Sequence, residues 1–160
     1  MKNLEIERKF LLDLNEIPYD FSKLRKKTIE QGYIICKPEI RVRNVLGEDY
    51  FMTIKGSTED PLVRNEVEFK ISEEAYRILM ARSDIHKINK NRYFVDEGNN
   101  KYEIDVFEGK LKGLACLEVE FSNKEEADKF VVPSWIKKEI TDDLRYRNCN
   151  LAKDNIPLEV

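Results

Sequence analysis

Strand-length segments in which charged and apolar residues alternate recur along most of this 160-residue chain. Successive side chains of a strand point to opposite faces, so such a segment has one apolar and one charged face. Glu5, Glu7 and Lys9 oppose Leu4, Ile6, Phe10 and Leu12. Arg41 and Arg43 oppose Ile40 and Val42, and Thr53 and Lys55 oppose Met52 and Ile54. The split continues through Arg64, Glu66, Glu68 and Lys70, through Lys90 and Arg92, through Glu103 and Asp105, and through Glu118 and Glu120. Strands are expected over 3–12, 28–36, 39–46, 49–56, 63–71, 86–96, 101–108 and 114–121, with turns at Leu46–Asp49, Gly56–Pro61, Glu97–Asn100 and Gly109–Gly113. Connections this short favour antiparallel pairing.

Ser72 is placed to cap a helix over 73–83, with Glu73 and Glu74 at its positive end. Ser122 through Glu125 fits a capping box opening a helix over 123–130, which Pro133 terminates. A short helix is expected at 135–140. The whole chain, 1–160, reads as one domain, a length within the common ~100–200 residues.

An antiparallel sheet with one wet face would also alternate. A wet face, however, normally mixes Ser, Thr, Asn and Gln with its charges, whereas here Arg, Lys, Glu and Asp dominate on strand after strand. Like charges two residues apart repel unless a counter-ion or a neighbouring strand offsets them. Glu5/Glu7 and Glu118/Glu120 therefore suggest cation sites, and Arg41/Arg43 an anion site. Mg²⁺ prefers carboxylate and water oxygens, and guanidinium groups bind phosphate through paired, charge-assisted hydrogen bonds. If the sheet closes with the charged faces inward, an eight-stranded barrel is wide enough for packed side chains or one small ligand.

The net charge of −3 lacks the basic footprint of a duplex nucleic-acid binder. No apolar run approaches the ~20 residues that span a bilayer, and the N-terminus lacks a signal-peptide core. His86 is the lone histidine, which argues against a Ser-His-Asp machine or a multi-histidine zinc site. Cys36, Cys116 and Cys149 form no CxxC pair, so neither a disulfide framework nor a zinc site is expected, and a reducing cytoplasm is the simplest location. Lys23–Lys27 reads as a solvated segment and Trp135 as a packing residue rather than a base-stacking one.

Glu5-Ile6-Glu7-Arg8-Lys9 resembles the ExExK signature of the CYTH superfamily, the triphosphate tunnel metalloenzymes. The likeness runs on in order through Arg41-x-Arg43, Lys55, Glu66-x-Glu68, Lys90-x-Arg92-Tyr93, Glu103-x-Asp105 and Leu117-Glu118-Val119-Glu120-Phe121. Lys138-Glu139-Ile140-Thr141 and Arg145-Tyr146-x-Asn148 resemble the tail of small bacterial members, although those often have glycine where Lys137 stands. The resemblance implies an α+β, mainly β fold: a closed eight-stranded antiparallel tunnel with a charged lumen and flanking helices. It implies hydrolysis of the terminal phosphate of a triphosphate, with Mg²⁺ or Mn²⁺ as cofactor. Glu5, Glu7 and Glu120 would hold the metal. Lys9, Arg41, Arg43, Lys55, Lys90 and Arg92 would contact phosphates. Glu66, Glu68, Asp105 and Glu118 would orient water, hold a second metal or fix the basic side chains, and Lys138 would belong to a plug-like C-terminal segment. Inorganic tripolyphosphate is the expected substrate. Nucleoside triphosphate or thiamine triphosphate hydrolysis, adenylate cyclisation and non-catalytic polyphosphate binding are the alternatives. Neither nucleic acid nor membrane is required, and monomer and homodimer are both open.

Overall fold

The computed structural model describes residues 3–158. Its strands are β1 (Asn3–Leu12), β2 (Arg25–Cys36), β3 (Glu39–Val45), β4 (Tyr50–Ser57), β5 (Val63–Ile71), β6 (His86–Glu97), β7 (Asn100–Phe107), β8 (Ala115–Glu120) and β9 (Ile136–Glu139). The α-helices among these residues are α1 (Glu73–Met80), α2 (Lys124–Lys129) and α3 (Asn148–Lys153). The first eight strands close an antiparallel barrel in the order β5-β4-β3-β2-β6-β7-β8-β1, with β1 pairing back onto β5. Two runs of hairpins, β2 to β5 and β6 to β8, are joined by the connection that carries α1.

The alternation of the sequence is the cross-section of this barrel, and the strand boundaries agree with expectation within three residues. Three apolar clusters hold it. One fills an end of the barrel from inside: Leu11, Tyr33, Ile88, Phe107 and Cys116 meet Ile140, Tyr146, Cys149, Leu151 and Ala152 of the C-terminal segment. The second lies outside, where Phe10, Ile104, Leu117 and Val119 pack under α2, Phe130 and Trp135. Leu117 is fully buried there, so Leu117→Ala is expected to cost about 2–5 kcal/mol, the range for deleting a core leucine. In the third cluster, Tyr76 and Met80 of α1 cover Val42. Ser72 caps α1 as expected, its side chain accepting from the Ala75 amide at 3.0 Å. Gly32 sits beneath this helix, where a Cβ would collide with Met80 and Ile85.

Three expectations are corrected. Residues 136–139 form strand β9, not a helix, because the C-terminal half of β1 has a free edge there: Phe10 pairs Glu139 and Leu11 pairs Lys138. The cap of α2 is Asn123, whose side chain accepts from the Glu126 amide at 2.9 Å, one residue later than the expected Ser122. Cys36 and Cys149 form a disulfide across 113 residues of sequence, tying the end of β2 to α3. Cys spacing could not reveal this pair, because the fold alone brings the two Cα atoms to 5.8 Å. No helix among the described residues is long and apolar enough to cross a membrane.

Candidate active site

The barrel encloses a cavity of about 580 Å³, within the ~300–1,000 Å³ usual for small-ligand sites. Of the expected site residues, Glu5, Glu7, Lys9, Arg41, Arg43, Lys55, Glu66, Glu68, Arg92, Glu118 and Glu120 line it. Lys90 and Asp105 lie behind this lining, fully buried and bonded to each other at 2.8 Å. Lys138 is exposed on β9, away from the cavity wall. The C-terminal segment instead contributes Thr141, Tyr146, Arg147 and Asn148.

Part of the lumen is a closed network of charges. Arg92 donates to both oxygens of Asp105, at 2.7 and 2.8 Å, and to Glu118 at 3.0 Å, and it meets Glu103 at 2.5 Å. Burial alone would raise the Glu118 and Asp105 carboxyls, but Arg92 and the neighbouring lysines hold both below their usual range. Burial pushes the Lys90 ammonium down to about 8, against the pull of Asp105. Lys55 bridges Glu5 at 2.6 Å and Glu66 at 3.2 Å. Lys9 donates to the Tyr146 carbonyl at 2.8 Å and to Asn148 at 3.2 Å, and lies 3.6 Å from Glu118.

Other charges are poorly matched. Among the described residues Arg43 has no carboxylate within salt-bridge distance; its Nε donates to the neutral Gln31 at 3.0 Å. Burial and the nearby Arg41 and Arg92 push its guanidinium down to about 10. Arg41 is buried, 3.8 Å from Glu39, and its Nε has no hydrogen-bond acceptor among the described residues. Glu7 shows the converse: burial, then the Glu118 and Glu5 carboxylates, push its carboxyl up to about 8. Glu5 and Glu120 are raised as well, first by burial and then by surrounding carboxylates, although Lys55 opposes the shift at Glu5.

The three carboxylates share one region of the wall, since Glu5 and Glu7 occupy one face of β1 and Glu120 stands opposite Glu7 on β8. Among the described residues no three metal-binding groups already converge as a ready-made cage. A hard divalent ion nonetheless fits the donors: Mg²⁺ keeps several waters and shares its sphere with phosphate, needing only one or two carboxylates, and it would offset the burial and the carboxylate repulsion that raise Glu7. The charged alternation identified most of this wall. It left out Glu39, which pairs with Arg64 at 2.9 Å, and the buried neutral Gln31 and Tyr33 behind the wall; Arg64 stood on the charged face but was not singled out as a site residue, whereas Gln31 carries no charge to mark it.

A CYTH domain model matches residues 3–145. The inorganic triphosphatase of Nitrosomonas europaea is 35% identical over 152 residues, covering 92% of this chain and 96% of that protein. The inorganic triphosphatase of Acetivibrio thermocellus is 33% identical over 153 residues, covering 94% of each. The crystal structure of the inorganic triphosphatase NE1496 superimposes with a TM-score of 0.68 at 33% identity, over 95% of this chain and 99% of that one. With the charged barrel already in view, the match across nearly the whole chain makes this protein a member of the CYTH family.

Proposed function

We propose that this chain hydrolyses the terminal phosphate of inorganic tripolyphosphate. The observation that carries this reading is the partly buried Arg43, which has no carboxylate partner among the described residues, in the same lumen as Glu7, whose carboxyl is desolvated and faces Glu118 and Glu5. A polyanion brought in with a divalent cation compensates both at once. The names of the two relatives support the same substrate.

Arg41, Arg43, Lys9 and Lys55 grip the phosphate chain, and Arg92 completes the basic wall. Glu5, Glu7 and Glu120 hold Mg²⁺ or Mn²⁺, which when bound neutralises charge on the phosphate oxygens. Lys90 and Asp105 act behind the wall, bracing Arg92. Glu118 fixes Arg92 and Lys9, leaving Glu68, and Glu66 beside Lys55, as the carboxylates to orient the attacking water. That water forms its bond to the terminal phosphorus as the bridging P–O bond breaks, and diphosphate leaves with its charge held by the basic side chains. Positioning and electrostatics carry most of such a reaction. The chain works as a single domain, as a monomer or homodimer, without nucleic acid or membrane. A cytoplasmic location requires Cys36 and Cys149 to be thiols in the cell, because lasting disulfides are rare there; alkylation of a fresh lysate followed by mass measurement tests it.

The deciding experiment measures phosphate release from tripolyphosphate and ATP side by side, with Mg²⁺ or Mn²⁺, for wild type and Glu7→Ala. Metal-dependent release, faster from tripolyphosphate and reduced by roughly 10²–10³-fold in the variant, is expected. Faster release from ATP makes the protein a nucleoside triphosphatase. Binding without release points to a polyphosphate-binding module or a cyclase.

A further inference from the structure

The lumen contains a buried neutral pair that the charge pattern does not explain. Gln31 is fully buried on β2, directly opposite Arg43 in the strand register. Its Oε1 accepts from Arg43 Nε at 3.0 Å, and its Nε2 donates to the Tyr33 hydroxyl at 2.7 Å. Tyr33, buried two residues along the same face, stands opposite Arg41 and its hydroxyl interacts with that guanidinium. Burial pushes the Tyr33 phenol up, so it is neutral at physiological pH. Arg43 is thus held through an amide that is itself braced by a phenol, whereas the adjacent Arg41 also has the Glu39 carboxylate at 3.8 Å.

By contrast, Arg92 is fixed by three carboxylates and Lys55 by two. A carboxylate fixes a guanidinium but cancels its charge for any incoming anion. An amide acceptor fixes it and leaves the charge intact. An arginine that must be both immobile and unneutralised needs a neutral partner, and burying a glutamine that makes bonds at both ends is a low-cost way to supply one.

We propose that Gln31, backed by Tyr33, is a positioning residue that aims Arg43 into the lumen while keeping its positive charge available to a triphosphate. This rests on the triphosphatase reading above. The two functions of Gln31 can be separated by substitution. Gln31→Glu keeps the size and the acceptor but adds the cancelling charge. Gln31→Met keeps Arg43 charged but removes its acceptor.

The test compares both variants with wild type by thermal unfolding, by calorimetric binding of inorganic tripolyphosphate without metal, and by steady-state kinetics with Mg²⁺. Gln31→Glu is expected to stay folded and to weaken tripolyphosphate binding and raise KM by roughly 10- to 100-fold, the scale of a lost buried charge pair. Gln31→Met is expected to change KM less and to lower kcat, because the charge remains but its direction does not. Unchanged binding and KM in a folded Gln31→Glu protein overturns the proposal. So does a fall in melting temperature alone in both variants, which identifies Gln31 as a packing residue. Should Gln31→Glu fail to fold, Tyr33→Phe decides: an altered kcat or KM is expected, and wild-type values for both overturn the proposal. A wild-type protein that neither binds nor hydrolyses tripolyphosphate sinks the triphosphatase reading itself, an outcome visible before any variant is made.

Discussion

Two sets of charged side chains in the lumen are treated in opposite ways. Around Arg92, one guanidinium and the Lys90 ammonium meet Glu103, Asp105 and Glu118 at 2.5–3.0 Å, so every charge has a partner. Around Arg43, the guanidinium meets only an amide among the described residues, the neighbouring Arg41 keeps a buried Nε without an acceptor, and Glu7 is crowded by carboxylates of its own sign. Desolvating an ion costs several kcal/mol unless a partner offsets it. The first arrangement is therefore a wall that holds its shape with the lumen empty. The second, on the proposed function, becomes favourable when an anion and a cation arrive together. The charges left without a partner are then the ones with most to gain from a ligand, while the paired ones hold the wall as well.

The sharpest way to break that distinction is to exchange the expected phenotypes. Asp105→Ala leaves Lys90 and Arg92 buried without their shared partner, and should destabilise the protein by about 3–5 kcal/mol. Arg43→Ala removes a charge that no carboxylate of the described residues neutralises. It should leave stability at or above wild type while lowering tripolyphosphate hydrolysis by roughly 10²–10³-fold, about 2.7–4 kcal/mol at 1.36 kcal/mol per decade. Denaturant titration beside kinetics checks both. A stable Asp105→Ala protein, or an Arg43→Ala protein that unfolds readily, erases the division between the two sets.

The sequence already showed which residues face inward, because a period of two survives any error in where a strand ends. It could not show which inward charges are paired. Glu118 and Glu120 look alike in the chain, yet Glu118 lies under Arg92 and is held well below its usual range, while Glu120 is raised. Lys90 and Arg92 look alike too, yet Lys90 is packed behind Asp105 and only Arg92 reaches the cavity. Those differences come from barrel stagger and from the depth of each residue along the tunnel. The C-terminal segment was least legible. Its strand β9 depends on a free edge of β1, and its disulfide on a contact between residues 113 apart.

That segment meets the charged wall through Lys9, which reaches Glu118 on one hand and the Tyr146 carbonyl and Asn148 on the other. The Cys36–Cys149 bridge anchors the residues that hold it. Cys149→Ser should lower stability by about 2–4 kcal/mol, because the bridge closes a long loop in the unfolded chain. It should also weaken tripolyphosphate binding by several-fold, because Asn148 loses its neighbouring anchor. Melting curves and binding isotherms of the oxidised wild type, the reduced wild type and the variant separate these effects. If the reduced protein binds as tightly as the oxidised one, the segment positions nothing and merely closes the barrel end.

The remaining effect is the one whose sign is least expected for a site residue. The Glu7 carboxyl keeps its proton up to about 8 in the folded, metal-free protein, against 4.5 when unconstrained. Between those values the folded state binds the extra proton, so the contribution of Glu7 to stability is present below pH 4.5 and is lost as pH rises through 8. Glu118, Glu39 and Asp105 shift the other way and contribute the opposite slope at lower pH, so the measurement is the difference between wild type and Glu7→Gln. With metal chelated, the variant should melt higher than wild type at about pH 8, by about 2–4 °C for each kcal/mol of relieved repulsion, and the gap should narrow as the pH falls toward the ordinary carboxylate range. Metal addition to wild type near neutral pH should release a proton, read as a dependence of calorimetric heat on buffer ionisation enthalpy. A Glu7→Gln protein less stable than wild type under the same alkaline, metal-free conditions would mean that Glu7 already has its partner within the barrel, and the set of charges assigned to ligand would have to be drawn without it.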